Sequence, residues 1–365
     1  MSWHGVSIII CCHNGAARLP ETVRHIARQA VPRYVPWEFI LVDNASTDQS
    51  SAIVESIWNS LDPSGELRIV YEPALGLSHA RARGFAEARY EFVILCDDDN
   101  WIEESYAATA YEIMMGNARI AALGGLGKLV FEVEPPEWVK HAGIFAAGEQ
   151  ADRPGKVMKN RIYGAGCVIR RSAYLQLREL GFRSLLTDRK GTELTSGGDH
   201  ELCFALSIMG YDIWYDDRLC FSHFITKDRL TWQYLMRYAR ESSRCFDVLT
   251  SYKMIAADTS TSKFSIITMI RDFFFCLRQF IRVNGRRLVT APMSVQGRLL
   301  YFRHVILKCK LVAYFKEFNA IVRTHEEILK FKDACVEAQG IKRKEPQFAA
   351  RFRITFFLKL FALRQ

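Results

Sequence analysis

The sequence predicts an α/β fold: a mainly parallel central sheet flanked by helices, followed by a basic helical C-terminal segment. Three observations carry this. Short apolar runs rich in β-branched residues alternate with helical patterns over the first hundred or so residues. Each of three of those runs ends in a polar cluster. Charge is also split along the chain: residues 1–262 hold 28 Lys+Arg and 33 Asp+Glu, whereas residues 263–365 hold 21 and 7, so a body of net −5 precedes a segment of net +14.

The elements follow in order. Val6 to Cys11 is a strand without polar alternation, and Leu19, Val23, Ile26 and Ala30 then fall at helical spacing. Phe39 to Val42 is the second strand, and Ile53, Val54, Ile57, Trp58 and Leu61 give the next helix. Leu67 to Tyr71 is the third strand, Leu77 to Ala88 a helix, and Phe92 to Leu95 the fourth strand. Apolar strands joined by helical crossovers require a sheet covered on both faces. Ligands of such sheets gather beyond the carboxyl ends of the strands. At those ends stand His13-Asn14, Asp43-Asn44 and Asp97-Asp98-Asp99. Three adjacent carboxylates raise one another's pKa, and a hard cation taking oxygen ligands is the most direct offset. Taken singly, each cluster also reads as a turn, a helix cap or a solvated loop. Their recurrence at the same end of successive strands favours one shared crevice.

With 365 residues and 49% hydrophobic content the chain can bury a large core, which excludes a disordered class. Ten cysteines without a C-x-x-C pair read as buried thiols of a reducing compartment rather than a disulfide framework or zinc site. Met1 to His4 runs straight into a strand, leaving no room for a signal peptide, and no uncharged apolar stretch approaches the about 20 residues a spanning helix needs. A cytoplasmic protein is therefore expected. The small polar stretch Ala256 to Ser262 divides the chain into a body over 1–255, a linker over 256–262 and a basic helical region over 263–365. In that region Ile266, Ile267, Ile270, Phe273, Phe274, Leu277 and Ile281 lie near helical spacing, interleaved with Arg271, Arg278, Arg282, Arg286 and Arg287, and Phe348 to Leu363 repeats the character. Two readings compete: amphipathic helices on an anionic membrane surface, or a helical subdomain with a solvated basic face. No nucleic-acid recognition module accompanies the charge.

Four motifs in register carry a resemblance. Val6 to Asn14, Val42 to Asp48, Gly76 to Gly84 and Asp97-Asp98-Asp99, with a fifth near residue 200, resemble the ordered motifs of family 2 glycosyltransferases with a GT-A nucleotide-sugar-binding fold. The resemblance covers roughly residues 5 to 230. It implies that Asp43 bonds the nucleobase edge, in a pocket completed around Cys12, His13 and Asn14. It puts Arg81 near the base or diphosphate, where a guanidinium can pair with phosphate oxygens; Arg83 stands where an Asn is common. Asp97-x-Asp99 becomes the motif for Mg2+ or Mn2+, with Asp99 the direct ligand, Asp97 at the ribose or the metal's outer shell, and His223 completing the site. Asp98 belongs to the same donor site without a specific task.

Thr195 to Leu206 resembles the family's Glu-Asp-x-Glu segment, with Gly198 replacing the first Glu. Asp199 is then the general base, Glu201 its rival, and helix capping the structural alternative. Trp138 and the stretch Tyr163 to Cys167 would lie around the acceptor, although core packing is the commoner fate of a tryptophan. The implied activity is a metal-dependent, inverting transfer of a sugar from a nucleoside-diphosphate donor, UDP favoured, to a hydroxyl of a glycan or lipid-linked acceptor. Bacterial cell-surface polysaccharide assembly at the inner face of the membrane is the implied setting. A non-catalytic sugar-nucleotide-binding or scaffold protein is the alternative that Gly198 keeps open. A phosphatase would want downstream Ser/Thr and Lys motifs that do not follow Asp99 in order.

Overall fold

A computed structural model describes residues 4–191, 194–257 and 266–338. The four apolar runs become strands β1 (Val6–Cys12), β2 (Trp37–Asp43), β3 (Glu66–Tyr71) and β4 (Phe92–Cys96), joined by helices α1 (Leu19–Ala27), α2 (Ser50–Leu61) and α3 (Leu77–Glu87). β1 pairs in parallel with β2 on one side and β4 on the other, and β2 pairs in parallel with β3. The chain therefore reverses its direction of travel across the sheet between β1 and β4, which opens a crevice beyond their carboxyl ends. Alternate residues of the buried strands serve two core layers. Ile8, Ile10, Phe39 and Leu41 pack with Leu19, Val23, Val54 and Trp58, while Ile9, Ile40 and Val42 pack with Ala80, Phe85 and Ala205. α3 lies close on β1 because residue 84 is glycine: a Cβ there would come within 2.8 Å of Ile9 Cγ2. α1 stops one turn short of Ala30, whose N–H instead donates to the Glu104 carbonyl at 2.8 Å.

Beyond β4 the sheet is mixed rather than parallel. The chain continues through β5 (Asn100–Ile102), α4 (Tyr106–Gly116), β6 (Ile120–Phe131), α5 (Glu137–Ala142), β7 (Gly155–Lys156), β8 (Val168–Arg170), α6 (Arg171–Glu179), α7 (Gly198–Ile208) and β9 (Asp212–Ile225). The strand order is β3-β2-β1-β4-β8-β6-β9-β5, with β7 on β9. β8 runs antiparallel to β4 and β6, and β5 and β7 antiparallel to β9, whereas β6 and β9 are parallel. The three antiparallel additions are two or three residues long, too short to leave an apolar run in the sequence.

After β9 come a 3-10 turn over Lys227–Leu230 and helices α8 (Trp232–Glu241), α9 (Phe246–Ala257), α10 (Ile266–Val289), α11 (Val295–Lys316) and α12 (Phe318–Ala338). α12 packs on α9, and its Ile328, Phe331 and Cys335 enter the same core as Leu202, Phe204 and Tyr252. Phe302 of α11 joins Leu235, Met236 and Trp138, the last meeting Trp232 edge to face. Among the described side chains of α10 the buried positions are Met269, Cys276 and Val283, while Phe274 and Ile281, expected on an apolar stripe with their neighbours, are exposed. Ala256 and Ala257 end α9; the rest of the expected linker, and the 348–363 stretch, lie outside the described residues. Among the described residues no helix is long and apolar enough to cross a membrane.

Candidate active site

A cleft of about 830 Å³ lies beyond the carboxyl ends of β1 and β4, lined by His13, Arg81, Asp97, Asp98, Asp99, Asp199 and His223 among others. His13 follows β1, and its Nδ1 lies 2.9 Å from the Asn44 carbonyl. A carbonyl only accepts, so that nitrogen carries the proton. Asn44 is buried and donates to the carbonyls of Glu72 and Ala74 while accepting from the Gly76 N–H at 2.8 Å, which ties the end of β2 to the start of α3. Asn14 and Asp43 are held just outside this lining by their own loops. Asn14 Oδ1 accepts from the Thr47 N–H at 2.8 Å. Asp43 accepts from the Ser46 N–H at 2.9 Å and the Ser51 hydroxyl at 2.6 Å, the geometry of a turn that starts α2.

The three aspartates after β4 have different surroundings. Asp98 is gripped bidentately by Arg18 of the α1 approach, Nε to Oδ1 at 3.0 Å and Nη2 to Oδ2 at 2.6 Å. Glycine at 15 makes room for it, since a Cβ there would sit 2.7 Å from Asp98 Oδ2. Asp99 Oδ2 accepts from Arg229 Nη1 at 2.7 Å and lies 3.6 Å from His223 Nε2; Asn100 donates to Oδ1. Burial opposes ionisation of Asp99, but His223 and Arg229 prevail and hold the carboxyl well below its ordinary value. Asp97 is pushed the other way, by burial and then by the Asp99 charge, with Arg81 opposing. The offset expected from a metal alone is thus shared by two guanidinium groups, Arg18 and Arg229, that sequence reasoning passed over. Arg229 leaves a faint signal six residues after His223, in the turn that ends β9. Among the described residues no cluster of three or more His, Cys, Asp or Glu has metal-holding geometry. The chemistry of the donors nevertheless fits Mg2+ or Mn2+, ions that take one or two carboxylates and fill their remaining positions with phosphate oxygens and water.

Opposite the triplet, α7 begins with Gly198 and Asp199. Asp199 Oδ2 accepts from the Gly164 N–H at 2.7 Å and Oδ1 from the His200 N–H at 2.9 Å. Burial works against its charge, but His200, Arg81 and these two donors outweigh it and keep the carboxyl below its ordinary value. Gly164 brackets the site: a Cβ there would lie 3.1 Å from Asp199 Cβ and 3.2 Å from Arg81 Nη2. Arg81 in turn donates to Asp188 at 2.8 Å.

Glu201, the rival base, points elsewhere. It is 0% exposed, and its carboxylate accepts from the Ser184 hydroxyl at 2.7 Å and the Leu185 N–H at 2.8 Å, so it anchors the 184–186 loop rather than lining the cleft. Burial pushes its pKa up from 4.5 to about 7. Between those values the native state holds a proton that the unfolded chain has lost, so this group makes stability fall as pH rises, by up to about 3 kcal/mol. Glu201→Gln removes the linkage. Its melting temperature relative to wild type should therefore improve from pH 5 to pH 8; parallel pH profiles would show that Glu201 is ionised throughout.

Comparison with known proteins follows this geometry. Residues 7–175 match the family described as glycosyl transferase family 2. The cholesterol galactosyltransferase of Borreliella burgdorferi is 32% identical over 106 residues, 29% of this chain and 28% of that protein. The glycosyltransferase GlyG of Streptococcus pneumoniae is 29% identical over 108 residues, 29% of this chain and 34% of that protein. The matched part thus spans about a third of these curated relatives or less. Among solved structures, S. aureus TarS 1-349 in complex with UDP-GlcNAc aligns with a TM-score of 0.52 at 17% identity, over 95% of this chain and 99% of that one. The mannosyltransferase PcManGT from Pyrobaculum calidifontis, in complex with GDP-Man and Mn2+, aligns with a TM-score of 0.51 at 18% identity, over 93% and 88%. At such identities the likeness is one of fold, and it bears out the expected GT-A architecture with a helical C-terminal region.

Proposed function

We propose, on the match of residues 7–175 to glycosyl transferase family 2, that this chain is a metal-dependent, inverting glycosyltransferase. It moves a sugar from a nucleoside diphosphate, uridine favoured, to a hydroxyl of a glycan or lipid-linked acceptor in bacterial cell-surface polysaccharide assembly. The observation that carries this reading is the pairing across Gly164 of a cation suited to phosphate, Arg81, with an ionised carboxylate, Asp199. Asp199 takes the proton of the acceptor hydroxyl as that oxygen attacks the anomeric carbon from the face opposite the leaving group, so one displacement inverts the centre. Asp99 and His223, with Asp97, would hold Mg2+ or Mn2+, which supplies positive charge for the departing diphosphate. His13, Asn14 and Asp43 belong to the nucleoside side and Asp98 supports the triplet through Arg18.

Nucleotide-sugar complexes of the two structural neighbours, one with Mn2+, support the donor class. Thermal denaturation with UDP or GDP, with and without Mn2+, is the direct test. UDP plus Mn2+ should raise the melting temperature by about 3 °C at a hundred times Kd, more than either alone. A chain that responds to no nucleotide in the presence of Mn2+ does not have this donor site.

The division into a transferase body over 1–255 and a basic region over 263–365 remains part of the proposal, on charge. So does attachment to the inner face of an anionic membrane. Its support is the end of α10 and the turn after it, where Leu288, Val289 and Met293 are 88%, 87% and 75% exposed and Arg282 and Arg286 of the last turns of α10 are exposed as well. Apolar side chains next to cations suit insertion at an anionic headgroup layer. The protein should co-sediment with vesicles containing anionic phospholipid and lose that binding on Leu288→Ser/Val289→Ser/Met293→Ser; equal recovery with zwitterionic vesicles would remove the electrostatic part of this reading.

A further inference from the structure

The glycine at 198 is filled from elsewhere. A Cβ on Gly198 would run into the carboxylate of Asp188, 2.7 Å from its Cγ and 3.0 Å from Oδ1, with Oδ2 closer still. Asp188 belongs to the loop between α6 and α7, is 4% exposed, and adopts a left-handed backbone conformation (φ 53°) that few residues other than glycine, asparagine and aspartate accept. Oδ1 accepts from the Gly198 N–H at 2.8 Å, and Oδ2 accepts from Arg81 Nη1, also at 2.8 Å. One carboxylate thereby joins the arginine on the donor side of the cleft to the first residue of the helix whose second residue is Asp199.

We infer that Asp188 is a positioning residue that replaces, from a loop, the side-chain carboxylate missing at 198, and so keeps Arg81 and Asp199 in catalytic register. The inference rests on Asp199 as base. It makes Gly198 a relocation of charge rather than a mark of lost turnover. Neither change alone should then be tolerated. A glutamate at 198 finds its space occupied, and truncation at 188 leaves Arg81 without its closest anion and the helix start without an acceptor. Truncation to alanine removes Cγ and both oxygens, the three atoms a side chain at 198 would strike.

The test is a swap. Asp188→Ala, Asp188→Asn, Gly198→Glu and the pair Asp188→Ala/Gly198→Glu are compared by ligand-free thermal denaturation and by release of UDP from UDP-N-acetylglucosamine with Mn2+. Asp188→Ala should lower kcat about 100-fold, the scale of a misplaced catalytic group, with a smaller change in KM. Asp188→Asn, which can still accept from Gly198, should lose about 10-fold through its missing charge. Gly198→Glu should lose both melting temperature and rate. The pair should recover the melting temperature and come within about 10-fold of wild-type kcat. Recovery of the melting temperature without recovery of rate would reduce Asp188 to a packing role and overturn the inference, as would a pair no better than either single change. Should the wild type release no UDP, UDP-N-acetylglucosamine is not its donor. UDP affinity by calorimetry then replaces rate, and a pair that restores neither affinity nor melting temperature overturns the inference independently.

Discussion

Asp199→Asn should lower sugar transfer by about a thousandfold while leaving nucleotide-sugar affinity within about threefold of wild type. The amide keeps the shape of the carboxylate and one acceptor oxygen, so of the bonds from Gly164 and His200 it forfeits at most one, about 1 kcal/mol. What it cannot do is take the acceptor's proton. Affinity titration and steady-state turnover on the same preparation separate these effects. If Asp199 served only to start α7, the substitution would lower the melting temperature and spare kcat. A lower melting temperature with full kcat would therefore move the base elsewhere, whereas nucleotide binding without turnover in the wild type would favour the non-catalytic nucleotide-binding protein.

Asp98→Ala should act on stability instead, lowering the unfolding free energy by about 2–3 kcal/mol. Removing one partner of a largely buried pair leaves the other charge uncompensated, a loss of about 3–5 kcal/mol when both are fully buried; Arg18 retains partial exposure, which reduces the figure. Urea denaturation measures it. Arg18→Ala/Asp98→Ala should lose less than the two single changes added together, since the pair removes both charges. A loss below about 0.5 kcal/mol for Asp98→Ala would mean that Arg18 finds another anion. The two variants thus separate a proposed chemical role, at Asp199, from a structural one, at Asp98.

The part of the fold that could be read from the sequence is the first hundred residues, where apolar strands alternate with periodic helices. β1, β2 and β4 announce themselves because every position is apolar or nearly so, and the helices between them show their period. β5, β7 and β8 do not, since two or three residues carry no period and are held by partners far away. Arg170 at the end of β8 shows the mechanism, donating to the carbonyls of Ile120 and Met114, 50 and 56 residues off. On α10 the composition was legible but not the direction: the consecutive Phe273, Phe274 and Phe275 point three ways around the helix, and packing selected Met269, Cys276 and Val283, seven residues apart, over these larger aromatics.

The same distinction governs the site. Motif residues at strand ends could be placed in one crevice because topology alone brings strand ends together. Their partners could not. Arg18 lies 80 residues from Asp98, Arg229 130 from Asp99 and Asp188 107 from Arg81. A charge pair leaves no periodic trace, and any of 49 Lys+Arg could have been an aspartate's partner, or any of 40 Asp+Glu that of Arg81. Glu201 illustrates the converse: its spacing from Asp199 made it a rival, and a two-residue step along a helix turned it to the opposite side.

The packing of α12 also sets an order of events in time. Ile328, Phe331 and Cys335 belong to the core that includes Leu202 and Phe204 of α7, the helix that starts with Gly198 and Asp199. When the ribosome has finished α9 at Ala257, that core still lacks a wall, and α12 ends 81 residues later at Ala338. At 5–20 residues per second this is an interval of roughly 4–16 s in which the nascent chain has its strands and strand-end loops but an unsealed α7. During synthesis, the side of the cleft formed by the ends of β1 and β4 can be complete before the side formed by α7.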